Sequence, residues 1–324
     1  MKTAIVTGAG GFIGSHLVLR LKREGYWVEG VDIKHPEFAP TTADQFFIRD
    51  LRDPVATDDV FHPVDEVYTL AAQMGGAEYV FTGTNDAEIV NDSALINLNV
   101  AAACRRWDVG RVFFSSSACI YPDFVQHNTD NCALWEDMAW PARPDSAYGL
   151  EKLFSEELYK AYAKNHQMQI RIARLHAIYG PLGTWRGGRE KAPAAICRKV
   201  AETPNGGTID IIGDGNQTRS FLYVDECIEG IRRLMNSGFA GPVNLGSAEM
   251  VSINQLAEIV CDIAGKQLNF NHIPGPEGVR GRTSDNALIQ EKLGWAPSAS
   301  LREGLVKTYS WVKQQVEGCA STAA

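Results

Sequence analysis

The first thirty residues carry two apolar patterns in succession. Thr3–Thr7 (TAIVT) is a short, largely apolar run of the kind that forms a strand buried on both faces, and after a cluster of glycines Ile13, Leu17 and Leu21 recur at helical spacing. Residues 26–31 (YWVEGV), 64–70 (VDEVYTL) and 111–115 (RVFFS) read as further strands, with helical patterns between them. Strand and helix in alternation predict an α/β fold, a Rossmann-type doubly wound parallel sheet with helices on both faces.

After about residue 174 the texture changes. Gly, Pro and Trp become frequent (YGPLGTWRGGREKAP) and the alternation gives way to short mixed elements. This predicts a first domain over 1–175, built on that sheet, and a smaller, interleaved mixed α/β region over 176–318, with 319–324 as a tail. Residues 220–225 (SFLYVD) and 242–246 (PVNLG) read as strands that return to the main sheet, and 290–316 reads as helical. No internal repeat or low-complexity segment is present.

The chain has 324 residues, 45% of them hydrophobic, enough for a sizeable core. A formal net charge of −8 argues against broad attraction to nucleic acid or an anionic membrane surface, so any phosphate must be met locally. The seven cysteines (Cys104, Cys119, Cys132, Cys197, Cys227, Cys261 and Cys319) never fall in C-x-x-C spacing. They read as free thiols in a reducing cytoplasm, not as a metal site. No apolar stretch is long enough to span a bilayer, and a glycine-rich loop by residue 8 leaves no room for a secretory signal.

Candidate chemistry begins at that loop. Gly8, Gly11 and Gly14 stand between a strand and a helix, where glycine permits a tight turn, close approach of backbone to a pyrophosphate, and close helix-to-strand packing. Asp32 ends the next strand, placed to accept hydrogen bonds from both ribose hydroxyls and to repel a 2′-phosphate, which selects NAD over NADP. Asp50 and Leu51, after the third apolar run, are candidates for the adenine edge.

Tyr148 and Lys152 lie four residues apart at the start of a helical pattern and share a face. A lysine ammonium beside a phenol favours the phenolate and prepares it to take a hydroxyl proton, and the same lysine can hold the nicotinamide ribose. Ser115, Ser116 and Ser117 end the preceding strand, at the edge where open α/β sheets bind ligands.

Taken together these features resemble the extended short-chain dehydrogenase/reductase superfamily over nearly the whole chain, and 213–221 (GDGNQTRSF) with 223–225 (YVD) resemble its nucleotide-sugar branch. A narrower resemblance, to the GDP-mannose 3,5-epimerase family, is carried by 72–76 (AQMGG), 116–122 (SSACIYP), 140–142 (WPA), 183–195 (GTWRGGREKAPAA) continuing to Arg198 and Lys199, and 272–282 (HIPGPEGVRGR). The resemblance implies a tightly bound, recycled NAD, a GDP-sugar substrate and a homodimer. It implies oxidation of the sugar at C4, which acidifies the protons on C3 and C5 so that two flanking groups, Cys119 and Lys191, can invert those centres before the hydride returns. The expected products are GDP-L-galactose and GDP-L-gulose.

Other roles are likewise implied by the resemblance alone. Phe12, Ile13, Leu70, Ala71 and Ala72 join the glycines at the cofactor. Gly75 approaches the sugar, Ser117 bonds the oxidised carbon's oxygen, and Ala118, Glu190 and Ala192 flank the acid/base pair. Lys199, Gln217, Thr218, Arg219 and Arg280 hold the diphosphate and nucleoside.

The chain departs from the family in two places. Ala177 stands in His176-Ala-Ile-Tyr-Gly-Pro181 where the family has an asparagine that contacts the nucleotide-sugar, and residues 78–99 diverge. Both bear on which sugar is used and which centres are inverted. A C4-epimerase, a dehydratase or an epimerase of another GDP-sugar is a second expectation, and a non-catalytic NAD-binding sensor a third.

Overall fold

The computed structural model describes residues 1–130 and 133–322, and of 320–322 the backbone alone; Cys132 and the end of the tail lie outside the described residues. Among the described residues fifteen strands, β1 (Thr3–Thr7), β2 (Trp27–Asp32), β3 (Gln45–Ile48), β4 (Glu66–Thr69), β5 (Arg111–Ser117), β6 (Ala133–Leu134), β7 (Ile170–Leu175), β8 (Ile178–Tyr179), β9 (Thr208–Ile212), β10 (Thr218–Ser220), β11 (Leu222–Tyr223), β12 (Val243–Leu245), β13 (Met250–Ser252), β14 (Asn269–Ile273) and β15 (Gly281–Ser284), form four sheets. The helices are α1 (Phe12–Arg23), α2 (Pro54–Asp58), α3 (Ala77–Phe81), α4 (Asp86–Arg106), α5 (Ala147–His166), α6 (Ala192–Glu202), α7 (Val224–Asn236), α8 (Ile253–Ala264), α9 (Ala287–Leu293) and α10 (Leu301–Thr322).

The main sheet has seven strands in the order β12-β7-β5-β4-β1-β2-β3, every neighbouring pair parallel. Its central strands are apolar on both faces, since helices cover both. One core cluster joins Leu17 and Leu21 of α1 to α6, α7, α8 and α10, and a second, on the other face, joins Ile5 and Val112 to Val100 and Cys104 of α4 and Tyr159 of α5. The pairing register sets Thr7 beside Thr69, and Ser117 beside Leu175, so the carboxyl ends of β1, β4, β5 and β7 open on one edge. Ligands bind at that edge in sheets of this kind.

Two expectations change. Residues 220–225 do not return to the main sheet: Leu222–Tyr223 pairs with β8 in a separate two-stranded sheet, and Val224 already begins α7. The strand over 242–246 does return, as edge strand β12. The helical pattern over 290–316 is broken, because Gly294 takes a left-handed φ of 60° as the C-cap of α9 and Pro297 follows before α10 starts. Among the described residues no helix is long and apolar enough to cross a membrane.

Candidate active site

The turn after β1 is shaped by backbone proximity. A Cβ on Gly14 would stand 2.1 Å from the Gly8 carbonyl oxygen, one on Gly10 would stand 2.2 Å from the Lys34 carbonyl oxygen, and one on Gly8 would stand 2.7 Å from the Ala71 nitrogen. The loop therefore lies flat against the β2 and β4 ends, leaving the N-terminus of α1 uncovered by side chains. Asp32 accepts from Gly10 N–H at 2.9 Å and from Lys34 N–H at 3.3 Å; burial pushes its carboxyl upward, and these backbone donors oppose the shift. Gly10, Gly11, Phe12, Lys34, Phe38 and Leu182 line the pocket over this turn. Phe12 and Ile13 are half-buried in the first turn of α1, and Leu70, Ala71 and Ala72 follow β4. A glycine floor, an acidic ribose site and a helix N-terminus fit a dinucleotide without a 2′-phosphate.

The adenine-side pair is arranged differently from the expectation. Leu51 is buried in the core, and both oxygens of Asp50 accept from Arg52, at 2.9 and 2.6 Å. That ion pair holds the Asp50 carboxyl below its usual range.

Tyr148 and Lys152 face inward from α5, 6% and 2% exposed. Ser146 caps this helix by accepting from Gly149 N–H at 3.1 Å. The Lys152 ammonium lies 5.8 Å from the centre of the Tyr148 ring and 5.0 Å from that of Phe114, with no hydrogen-bond partner among the described residues. A buried cation so placed suits a ribose hydroxyl. Burial lowers its pKa, and Glu151 opposes that. The Tyr148 phenol, however, is pushed well up, first by burial and then by the Cys119 and Glu151 charges, with the Ser117 hydroxyl pulling the other way. Burial dominates the phenol, against the lowering expected from Lys152.

Beyond β5 the chain makes a 3-10 turn, Ala118–Ile120, capped by Ser117, whose Oγ accepts from Cys119 N–H at 3.2 Å. This turn presents the Cys119 thiol at the sheet edge. Arg282 of β15 donates to Cys119 Sγ at 3.5 Å, to Gln126 Oε1 at 2.6 Å and to Asp145. Burial and then Asp145 push the thiol up, and Arg282 opposes both. Lys191, the N-cap residue of α6, is close enough for its charge to interact with Cys119 and Cys227, and burial lowers its pKa. Tyr148, Cys119, Lys191, Ser117 and Lys152 are thus gathered at one edge of the sheet.

The remaining expected contacts are placed as follows. Gly75 packs on Tyr79, and Gly76 is seated on the loop before Lys191: its N–H donates to Arg189 O at 3.0 Å, and a Cβ would meet Glu190 O at 2.2 Å. Ala118 is buried, Glu190 pairs with Arg198 at 3.1 Å, and Ala192 opens α6. Lys199 donates to Asp210 O at 2.5 Å. Gln217 keeps a buried Oε1 without a partner, and Thr218 donates to Thr129 O at 3.1 Å. Arg219 reaches the carbonyls of Glu277 and Val279. Arg280 pairs with Asp214 and Glu277, away from the thiol. The arginine on Cys119 is Arg282, two residues further on, which the sequence reading passed over along with its partners Asp145 and Gln126. Arg282 sits inside the 272–282 stretch, so the pattern contained it; what tells the two arginines apart is that Arg282 lies in β15 and Arg280 just before it.

The model of the NAD dependent epimerase/dehydratase family matches residues 4–246. GDP-mannose 3,5-epimerase of Arabidopsis thaliana is 51% identical over 314 residues, covering 96% of this chain and 82% of that protein. Among solved structures, UDP-glucose 4-epimerase of Thermotoga maritima with UDP-glucose superposes with a TM-score of 0.85 at 26% identity, over 97% of this chain and 99% of that one. UDP-glucuronic acid 4-epimerase of Bacillus cereus, with UDP-glucuronic acid and NAD, gives 0.79 at 27% identity with the same coverage. The chain belongs to the NAD-dependent epimerase/dehydratase family and, within it, stands with the GDP-mannose 3,5-epimerases.

Proposed function

We propose that this protein epimerises GDP-mannose at C3 and C5 through a transient C4 ketone, yielding GDP-L-galactose and GDP-L-gulose with no net redox change. The observation that carries the reading is the grouping of Cys119 and Lys191, two proton-transfer groups beyond those that oxidation requires, with Tyr148 at one sheet edge.

NAD is the cofactor; the 8–14 loop, Asp32 and Lys152 would hold it, and when bound it would supply hydride acceptance and return at C4. Tyr148 is assigned to take the C4 hydroxyl proton, against the upward push that burial gives its phenol, and Ser117 to hold the same oxygen. A C4 carbonyl acidifies its neighbours. One of Cys119 and Lys191 then removes a proton from C3 or C5 and the other delivers one to the opposite face. Burial lowers the Lys191 pKa, making it readier to give up its proton, while burial and Asp145 hold the Cys119 thiol up and Arg282 offsets part of that rise. Lys199, Gln217, Thr218, Arg219 and Arg280 are assigned to the GDP moiety, exchanging their present carbonyl and carboxylate partners for phosphate.

The test is incubation with GDP-mannose in deuterated water, with product analysis by NMR. Deuterium at C3 and C5 is expected; label at neither carbon would sink the reading. Ala177 favours one second reading, a different GDP-sugar, because its methyl offers no hydrogen bond where the family has asparagine. Faster turnover of another GDP-hexose or a GDP-heptose would select it.

A homodimer through α4 and α5 belongs to the same proposal. These helices pack together and leave Leu95, Leu98, Leu150 and Phe154 38 to 56% exposed. A cytoplasmic location is supported by the six free cysteines among the described residues.

A further inference from the structure

A polar chain runs across the face of the molecule from the cofactor side to the sugar side. Arg52, in the turn after β3, chelates Asp50 and donates through Nη1 to Asp92 Oδ2 of α4 at 2.8 Å. Asp92 is 7% exposed, and the same oxygen accepts from Gln73 Nε2 at 3.1 Å, while the other accepts from Asn91 Nδ2 at 3.2 Å. The neighbouring Ser93 hydroxyl accepts from Gln73 N–H at 3.1 Å. Gln73 opens the loop that ends in Gly76, which is bonded to Arg189 and pressed against Glu190. Arg189 also stacks its guanidinium over Tyr79, 4.1 Å from the ring centre. Lys191 is the next residue after Glu190.

We propose that Asp92 is a positioning residue that ties the cofactor-side turn at Asp50–Arg52 to the Gln73–Gly76 loop and, through the seat of Gly76 on Glu190, sets where Lys191 stands relative to the cofactor. A carboxylate suits this post because one oxygen can accept from a guanidinium and an amide together, and its burial among three donors gives each bond a defined direction. Cys119 is held by a separate set of contacts, from Ser117, Arg282 and the start of α5, none of which passes through Asp92. The two acid/base groups are therefore mounted independently. Disturbing Asp92 moves one and leaves the other.

This inference rests on the assignment of Cys119 and Lys191 as the acid/base pair, and the experiment separates the two. Asp92→Ala removes the hub, and Gln73→Met removes only the loop-side bond while preserving side-chain length. The first readout is amide hydrogen exchange on the NAD-loaded proteins without substrate. Exchange over 73–80 and 186–191 is expected to rise at least about threefold in both variants, with 111–121 unchanged. The second is the ratio of deuterium entering C3 and C5 of GDP-mannose, expected to shift about threefold because Lys191 alone is displaced. That ratio is independent of how much protein is folded, so a merely structural role would leave it unmoved. Unchanged exchange in both segments overturns the proposal, as does an unchanged ratio when the wild type labels both carbons. A wild type that labels neither carbon defeats the acid/base assignment instead, and the exchange result then decides the coupling.

Discussion

Gly149 lies directly beneath Cys119: a Cβ on the glycine would stand 2.0 Å from the Cys119 carbonyl oxygen. The first turn of α5, carrying Tyr148, can approach the 3-10 turn carrying Cys119 only because residue 149 has no side chain. The contact is to backbone, so no rotamer change can relieve an added methyl. Gly149→Ala is expected to cost about 1–3 kcal/mol of stability. It should lower turnover by roughly a hundredfold by pushing phenol and thiol apart. Thermal melts and kcat measured on the NAD-loaded variant check both, and a wild-type kcat would refute the close-approach argument.

Asp145→Asn tests the charge balance at the thiol. Asp145 raises the Cys119 pKa and Arg282 lowers it. Asparagine keeps one acceptor oxygen for Arg282, and its amide NH2 faces the Ser146 hydroxyl, which now accepts where it had donated at 2.7 Å. Removing the negative charge favours the thiolate, so the limb of the pH–rate profile that reports Cys119 deprotonation should move to lower pH. A profile of solvent deuterium exchange between pH 6 and 9 is the measurement; a limb displaced upward, or unmoved, contradicts the assignment of Cys119 as a base.

The parts of the site legible in the chain were those built from local spacing. The glycines, Asp32 and the Tyr148/Lys152 pair each belong to one strand-turn-helix unit, and their geometry follows from residue spacing along an element. The second region was not legible in that way. Strands of two or three residues such as β8, β10 and β11 are too short to show a period, which is why 220–225 was read as one strand when it contains the end of β10, all of β11 and the start of α7. Arg282 lies inside β15 and Arg280 just before it, and β15 has no register until it pairs with β10 and β6. Asp92 was hidden for another reason: a polar residue on a helix reads as solvated until packing buries it.

Ala177 adopts a φ of 40°, in the left-handed region where alanine is strained and asparagine is comfortable. Ala177→Asn is therefore expected to stabilise the protein by about 0.5–1 kcal/mol, raising the melting temperature by a few degrees at most. The substitution also restores the family's polar group, so KM for GDP-mannose should fall. A lower melting temperature would show that the pocket around residue 177 has closed over the missing amide.

His176 gives the fold a specific acid sensitivity. The ring is 1% exposed, its Nε2 is 3.0 Å from Asn244 Oδ1, its Nδ1 has no partner, and burial lowers its pKa to about 3 from an ordinary 6.5. Between those values the unfolded chain binds a proton that the folded one excludes. The stabilisation is therefore complete above about pH 6.5 and is lost as pH falls towards about 3, by up to about 1.4 kcal/mol per pH unit. His176→Gln keeps a polar partner for Asn244 without the titration. Its denaturation midpoint should fall less steeply than that of the wild type between pH 6.5 and 4; parallel slopes would show that His176 takes up its proton in the folded state.

On α5 the Tyr148/Lys152 pair and an apolar pair point in opposite directions. Tyr148 and Lys152 are buried towards the sheet, while Leu150 and Phe154, each two residues on and so about 200° around the helix, are 56% and 48% exposed. Leu95 and Leu98 on α4 extend the same outward surface. A helix that must hold a phenol against a thiol gains rigidity if its outer face is also packed, and a second copy of the same pair of helices is self-complementary to it. The paired substitution Leu98→Asp with Phe154→Asp should convert a dimer to a monomer by light scattering while leaving the circular dichroism spectrum intact. If the apolar face steadies α5, kcat of that monomer falls severalfold with NAD still bound; a wild type that already runs as a monomer would leave these side chains without the partner proposed for them.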